Sequence, residues 1–358
     1  MPRHRLFFIH GMGQPEEATW HKEAEDTLRA AWKGYPDVAD IDWDRRINVT
    51  PITYNTVFDK YRAKWAKSAD SILALMDEST PASDVKALTA IIKTGAKALA
   101  GTDDDKFVWS YVTDVVLYRF CPIVREAVDV SVAAQIAKAL KEDGTGPEWS
   151  VVAHSLGTSV LHNTLVKMYA GAPAAGIPAL SLHQTRPTCL LMAANVSRVL
   201  QLPNADDHGR VVRMKVYESD VRPGSIVSGA ICECYLNARH AYDPLTWPYE
   251  FSPDQPSPRF AAPDYQHLQP EIILDWNVHA LVHYLRQPSV HAPLFRCLRG
   301  DAFLSKDEEA QAADDLARTS WNEGLNKVRD WADSFSAFNG EDWMALIGII
   351  QKYFAGPP

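Results

Sequence analysis

Apolar residues recur along this chain in short continuous runs that alternate with helical repeats. The run Leu6-Phe7-Phe8-Ile9 is followed by a segment from Glu16 to Trp32 whose apolar positions are spaced four apart. A second strand is predicted over residues 47–54. The pattern therefore predicts strands that alternate with helices.

An unusually long helical stretch interrupts this alternation between about Asp59 and Asp143. One helix is enough to connect two parallel strands, and the helix that ends near Lys141 supplies it. The excess, residues 57–120, is predicted to be an inserted helical cap, and residues 1–56 and 121–300 then form the core. The amphipathic, locally basic segments of the cap allow two interpretations, a lid that presses on a lipid surface or helices that pack on the core.

The C-terminal part of the chain, residues 301–358, is predicted to be a helical extension. Ser305 and Glu308 have the spacing of a capping box at the start of one helix. Earlier in the chain, seven prolines stand between Asp243 and His279. Because proline cannot donate a backbone hydrogen bond, so many prolines argue against a helix or a central strand there.

The run from Val151 to Ala153 leads into Ser155, which stands between two small residues, Ala153 and Gly157. After Gly157 the apolar spacing becomes helical. A strand that turns into a helix within about two residues needs small neighbours, and the strained turn pushes the serine hydroxyl out of the sheet. The pattern predicts a nucleophilic serine at position 155. The alternative is a tight strand-to-helix turn that carries a serine by chance.

The first apolar run ends in His10-Gly11-Met12-Gly13. Together with the turn at Ser155, this motif resembles the α/β-hydrolase superfamily, in particular its lipase- and esterase-like members. Their sheet carries a strand that ends in His-Gly-x-Gly and, later, a nucleophile elbow of the form Gly-x-Ser-x-Gly. Ala153 replaces the first glycine of the elbow, as in members with an Ala-His-Ser-x-Gly elbow. The resemblance covers residue 5 to about residue 290, and it implies an α/β fold with a mostly parallel central sheet flanked by helices.

The resemblance implies a site for acyl transfer. Negative charge builds up on a carbonyl oxygen in that reaction, and backbone N–H groups stabilise it. The implied donors of this oxyanion hole are Leu156, the residue after the nucleophile, and either Gly11 or Met12. The alternative for the glycines is an ordinary loop after a buried strand.

A serine hydroxyl is a weak nucleophile unless a histidine takes its proton and an acid orients that histidine. In this fold class the chain order is serine, acid, histidine. Asp243 and Asp220 are the two candidate acids, each after a strand-like run, residues 231–237 and 211–217 respectively. We favour Asp243 because Pro244 restricts the turn just beyond it.

His279 and His283 are the candidate bases. The superfamily places its histidine in a loop before the last helix, and His279 stands where a helical apolar pattern begins. His283 lies one turn further on and remains an alternative, and His267 is a third candidate. The spacing of four is also that of zinc ligands on a helix. Since no third ligand is evident, we predict no metal and no cofactor.

Three other histidines and the cysteines are assigned structural roles. His10 and His154 are expected to form the wall of the site, and His162 to be an ordinary helix residue. The five cysteines imply no disulfide framework. Cys232 and Cys234 are two apart in a predicted strand, so we expect them on one face as small strand residues.

Composition narrows the class of partners. The chain has 358 residues and a formal net charge of −9, and no segment concentrates enough Lys and Arg to follow a phosphate backbone. We therefore expect no binding to nucleic acid. No apolar run is long enough to span a bilayer. The first strand starts close to Met1, from which we expect no signal peptide and a cytoplasmic protein.

These features together predict an α/β-hydrolase that cleaves a carboxylic ester with Ser155, His279 and Asp243 through an acyl-enzyme. Thioester or amide hydrolysis, or acyl transfer to an alcohol, would use the same residues. A catalytically silent hydrolase fold that serves as a binding module is the hypothesis from another class. The expected partner is a small-molecule or lipid-like acyl substrate, and membrane contact is expected only through the cap.

Overall fold

The structure is a computed structural model. It describes residues 3–11, 19–36, 41–67, 114–115, 117–119, 121–144, 148–171, 174, 176–197, 203–205, 211–213, 221–243, 246, 251, 263–274, 277–299 and 304–318.

Six parallel strands form the central sheet, and two further strands pair separately. In chain order the strands are β1 (His4–Ile9), β2 (Ile47–Ile52), β3 (Trp149–His154), β4 (Cys189–Ala193), β5 (Pro203–Ala205), β6 (Val211–Arg213), β7 (Cys234–Ala238) and β8 (Tyr265–Leu268). The sheet has the order β2-β1-β3-β4-β7-β8, while β5 and β6 form an antiparallel pair. The predicted α/β architecture with a parallel sheet is confirmed.

Helices cover both faces of the sheet. They are α1 (Trp20–Lys33), α2 (Trp43–Arg46), α3 (Asn55–Lys67), α4 (Pro122–Asp143), α5 (Leu156–Ala170), α6 (Leu281–Leu285) and α7 (Pro288–Arg299), and residues 306–318 are also helical. Phe7 and Ile9 of β1 point into a core shared with α3, α4 and α5, whereas Leu6 and Phe8 pack with α1, α6 and α7. Because both faces are buried, the strands are continuously apolar rather than alternating.

The chain reverses direction next to its first strand. It starts at β1, moves outward to β2, and then crosses back over β1 to β3, from where it continues to the other edge. In an open parallel sheet the connections that leave the two strands at such a reversal go to opposite faces, and a crevice lies between them at the carboxyl ends of the strands. The segment after β1 and the turn after β3 therefore meet at one place.

Other predicted helices are described in part. The helix predicted from Glu16 to Trp32 corresponds to α1, which begins at Trp20. The capping box is confirmed, since the Ser305 Oγ accepts from the Glu308 N–H at 3.1 Å and a Glu308 carboxylate oxygen accepts from the Ser305 N–H at 3.0 Å. In the predicted cap, Phe58 of α3 is buried in the core. Residues 68–113 of the cap and residues 319–358 of the extension lie outside the described residues.

One expectation needs correction, and two are made more specific. The proline-rich stretch contains an edge strand, β8, which lies between Pro263 and Pro270 and itself contains no proline; a central strand is not described there. Of the strand-like run predicted over residues 211–217, residues 211–213 form β6 of the small antiparallel pair, and residues 214–217 lie outside the described residues. Cys232 and Cys234 lie on opposite faces, because β7 begins only at Cys234 and the two-residue alternation does not extend back to Cys232.

None of the described helices is both long and apolar enough to cross a membrane.

Candidate active site

Ser155 occupies a strained turn between β3 and α5. Its backbone has φ 52° and ψ −125°, a region that non-glycine residues rarely adopt. The Ser155 N–H donates to the Ala193 carbonyl at 3.0 Å, and the Ser155 carbonyl accepts from the Thr158 N–H and hydroxyl at 2.9 and 2.7 Å. These contacts to β4 and α5 hold the strained conformation, which costs about 1–3 kcal/mol in general. The predicted strained turn is present.

Two glycines allow the segment after β1 to lie against this turn. A Cβ placed on Gly157 would collide with the carbonyl oxygen of His10 and lie 2.9 Å from that of Ile9. A Cβ on Gly11 would lie 2.8 Å from the Ser155 Cβ and 2.9 Å from the His154 Nδ1. The atoms around Gly157 are backbone carbonyls, and the Ser155 Cβ next to Gly11 is fixed by its own backbone, so neither can move away as the end of a flexible side chain can. Both positions therefore require glycine. The two motifs of the sequence are thus in direct contact.

Tyr54, which follows β2, anchors the segment after β1. Its hydroxyl donates towards the carbonyls of His10 and Gly11, at 2.7 and 3.0 Å, and its ring stacks on that of His10 with a centroid distance of 4.2 Å. Burial raises the pKa of Tyr54 well above its usual value and lowers that of His10 to about 4. Both side chains are therefore neutral near pH 7, and Tyr54 keeps its proton as a donor.

Ser155, His279 and Asp243 form a continuous hydrogen-bonded relay. The His279 Nε2 lies 2.9 Å from the Ser155 Oγ, and the His279 Nδ1 lies 2.8 Å from a carboxylate oxygen of Asp243. Because a carboxylate can only accept, Nδ1 carries the proton and Nε2 is left to accept from the serine hydroxyl. The three residues are 124 and 36 positions apart in the sequence. This is the geometry that nucleophilic catalysis by a serine requires.

Asp243 is fully buried and has a second donor in Tyr284. The Tyr284 hydroxyl donates to the same Asp243 oxygen as His279 does, at 2.6 Å. It also accepts from the backbone N–H of His240 at 3.1 Å. Burial and the adjacent Asp243 charge raise the pKa of Tyr284 well above its usual value, so the hydroxyl remains protonated. The tyrosine offsets part of the cost of burying the carboxylate and fixes its orientation.

His154 supports the loop that carries His279. Its Nε2 lies 2.6 Å from the His279 backbone carbonyl, to which it donates. Burial, followed by the proximity of His279, lowers the pKa of His154 to about 3. A neutral imidazole with one N–H suits this contact to a carbonyl. His154 thus lines the site as predicted and contacts His279 without belonging to the relay.

The alternative candidates lie elsewhere or outside the described residues. The His283 Nε2 contacts the Ile272 carbonyl and the Leu274 N–H, at 3.2 and 3.3 Å. His267, on β8, contacts the Asn237 side chain. His162 is buried in α5, where burial lowers its pKa to about 4. Asp220 and Met12, the second acid and one predicted oxyanion donor, lie outside the described residues.

The other predicted oxyanion donors are at the relay. Leu156 is the first residue of α5, where the backbone N–H groups of a helix have no partner within the helix. Gly11 lies against Ser155 from the side of β1. The dipole of α5 adds partial positive charge at the same end of the helix. Both N–H groups are therefore candidates for stabilising an oxygen anion next to Ser155.

A cavity of about 430 Å³ adjoins the relay on the side of Gly11 and His154. The cavity is lined by apolar side chains at Leu274, Leu281 and Val282 and by charged side chains at Glu23 and Arg286. Its size is within the range of small-molecule sites.

Tyr284 and Tyr54 are functional-site residues that sequence reasoning missed. Each stands in an apolar context that predicts core packing, and Tyr54 directly follows a strand. The available signal is chemical, since a buried tyrosine hydroxyl needs a hydrogen-bond partner. The identity of the partner is not visible in a pattern of apolar spacing.

No model of a known protein family, no curated protein and no solved structure matches this chain. The interpretation of the site therefore rests on its geometry and on the motifs that form it.

Proposed function

We propose that this protein is a serine hydrolase of the α/β-hydrolase type that cleaves a carboxylic ester. The observation that carries the proposal is the unbroken relay from Asp243 through His279 to Ser155, with the serine on a strained turn. Strain of this kind persists only where the surrounding structure enforces it, and it is concentrated at active sites.

The position of each residue in the sheet supports the proposal. Ser155 follows β3, Asp243 follows β7, and His279 follows β8 in the loop before α6. All three are therefore at the carboxyl ends of parallel strands, where ligands bind in open α/β sheets. The chain order is the one expected for this fold class. Here α7 and the helical residues 306–318 follow α6, so the histidine loop precedes a group of helices.

In the proposed reaction the Ser155 oxygen attacks the ester carbonyl carbon while its proton passes to the His279 Nε2. The carbonyl oxygen becomes an anion, which the Leu156 and Gly11 N–H groups stabilise. The bond to the alkoxide then breaks, and the alkoxide takes the proton from Nε2. Water attacks the acyl-enzyme in the same manner and releases the carboxylic acid and free Ser155. Asp243 stays ionised and stabilises the imidazolium in both steps.

An ester makes a smaller demand on this site than an amide does. An alkoxide or alcohol leaves more readily than an amine, so amide cleavage requires fuller protonation of the leaving group. The alternative of a silent binding module predicts that a member of the relay is missing or displaced. The hydrogen-bonded distances of 2.8 and 2.9 Å favour the enzyme instead.

A fluorophosphonate probe tests the proposal directly. We expect it to label the folded protein at Ser155 and to leave Ser155→Ala unlabelled. Ser159→Ala is the matched control, because Ser159 is also buried, lies one turn further along α5 and is outside the relay. It should label like the parent.

Ester cleavage is measured separately with p-nitrophenyl acetate and, for comparison, p-nitroacetanilide. We expect turnover of the ester that Ser155→Ala loses, and little turnover of the anilide. Labelling that persists in Ser155→Ala, or a folded parent protein that is neither labelled nor active, would show that the proposal is wrong.

A further inference from the structure

Three cysteines converge at the end of the sheet opposite Ser155. Cys189 is the first residue of β4, Cys234 is the first residue of β7, and Cys297 lies in the last turn of α7. Their sulfur atoms all lie within 4.8 Å of one another, and those of Cys234 and Cys297 are 2.9 Å apart. Residues separated by more than 100 positions thus meet in one cluster.

The sheet register and the packing of α7 create the cluster. Cys189 and Cys234 are direct cross-strand partners, since β4 and β7 are adjacent and parallel. Both side chains point to the face that α7 covers, where Cys297 joins them. Cys232 differs, because it belongs to the core on the opposite face. Cys189 is buried, whereas Cys234 and Cys297 are partly exposed.

We propose that Cys189, Cys234 and Cys297 bind one soft, thiophilic metal ion of the zinc(II) or copper(I) class. Thiolate sulfur is the donor that these ions select, and among the described residues the cluster consists of sulfur donors alone. A zinc–sulfur distance of about 2.3 Å places three ligand sulfurs roughly 4 Å apart. The longest sulfur–sulfur distance in the cluster, at most 4.8 Å, is within about 1 Å of this value. The Cys234 and Cys297 sulfurs, which are 2.9 Å apart, would have to separate by about 1 Å as the ion enters.

Binding exchanges three S–H bonds for three metal–sulfur bonds. Each thiol loses its proton to solvent, so a divalent ion leaves the site with a net charge of −1. Copper(I) accepts three sulfur ligands, while zinc(II) takes a water as its fourth ligand on the exposed side. In either case the ion cross-links β4, β7 and α7.

The cross-link would stabilise the fold without entering the reaction. β4 is five residues long, which separates Cys189 from the Ser155 end of the sheet by about 13 Å. The site also ties α7 to the sheet, and α7 directly follows α6, the helix that carries Tyr284. An ion that binds only the folded chain raises its stability by mass action.

Cadmium(II) is a suitable probe, because cadmium–thiolate bonds absorb in the ultraviolet. The full chain, kept reduced and free of oxygen, is titrated with cadmium(II). We expect an absorbance that saturates at one equivalent, and a rise in the melting temperature of about 5 °C once the free ion exceeds its Kd about 100-fold. Cys234→Ser and Cys297→Ser should each weaken binding at least 100-fold.

Cys232→Ser is the matched control, because it removes a buried cysteine only two positions from Cys234 but on the other face. It should bind cadmium(II) as the parent does. Cys189→Ser is compared by circular dichroism first, since Cys189 is fully buried and its loss can disturb the fold.

Two outcomes would overturn the proposal. One is the lack of a one-equivalent signal in the parent protein after its cysteines have been shown to be reduced. The other is a signal that survives in both Cys234→Ser and Cys297→Ser.

Discussion

Acid is expected to destabilise this protein strongly below pH 6.5, because five of the described histidines have a pKa far below the ordinary value. Burial lowers the pKa of one of them to about 3 and those of the others to about 4. The first is His154, which is partly exposed, and the others are the buried His4, His10, His162 and His291. In the unfolded chain each would titrate near its ordinary pKa of about 6.5. Between pH 6.5 and 4 the unfolded chain therefore binds more protons than the folded one, and stability falls as the pH falls.

One carboxyl group opposes this trend. Burial raises the pKa of Asp129 to about 6, despite its ion pair with Lys167, so the folded protein gains a proton that the unfolded chain takes up only at lower pH. At pH 5.5 the balance is about four protons in favour of the unfolded chain, or about 5 kcal/mol of unfolding free energy lost per pH unit. Since a domain is typically stable by about 5–15 kcal/mol, unfolding is expected within about two units below pH 6.5.

Urea denaturation between about pH 7 and pH 5.5, at constant ionic strength, measures this slope. His162→Gln removes one of the five groups and should reduce the slope near pH 5.5 by about 1.2 kcal/mol per pH unit. Thr164→Val, at a fully buried position of the same helix, removes no titrating group and should leave the slope unchanged. A parent slope below about 1.4 kcal/mol per pH unit, or an unchanged slope in His162→Gln, would refute the reasoning.

Two further predictions concern the candidate site. Tyr284→Phe removes one of the two donors to the buried Asp243 oxygen, so kcat/KM for p-nitrophenyl acetate should fall about 10- to 100-fold, the equivalent of a hydrogen bond to a charged group; unchanged kcat/KM in a folded variant would contradict this role. Gly157→Ala places a methyl group against the His10 carbonyl, and we expect lost fluorophosphonate labelling together with a fall of several kcal/mol in unfolding free energy. Gly34→Ala, whose added methyl group would lie 3.2 Å from its nearest contact, is the comparison, and equal losses in the two variants would show that the close approach at Gly157 does not matter.

The local parts of the structure were predictable because their causes are local. The apolar run at Leu6–Ile9 specifies a strand buried on both faces, and the small residues around Ser155 permit the strained turn that follows β3. The capping box at Ser305 depends on a spacing of three residues and is present. Each of these features is determined by residues within one or two turns of the chain.

Other features could not be predicted because they depend on where elements pack. β8 lies within a proline-rich stretch and forms a strand by pairing with β7 at the edge of the sheet. An edge strand tolerates neighbouring prolines because fewer of its backbone N–H groups need a partner in the sheet. Cys232 and Cys234 separate onto opposite faces because the strand starts at the second of them. The apolar pattern around Tyr284 predicts a core residue, and only the position of Asp243 shows that its hydroxyl donates to a carboxylate.

By itself, the sequence determined the alternation of strands and helices through its apolar periodicity, and the strained turn at Ser155 through the small size of a few side chains. The order of a candidate nucleophile, acid and histidine came from the resemblance of two motifs to a known superfamily. Only the tertiary structure decided that His279 and Tyr284 both donate to one carboxylate oxygen of Asp243. It alone also brings three distant thiols together at the end of the sheet opposite Ser155. The reason is physical. Contacts between positions far apart in the chain are set by strand register and helix packing, which no local pattern encodes.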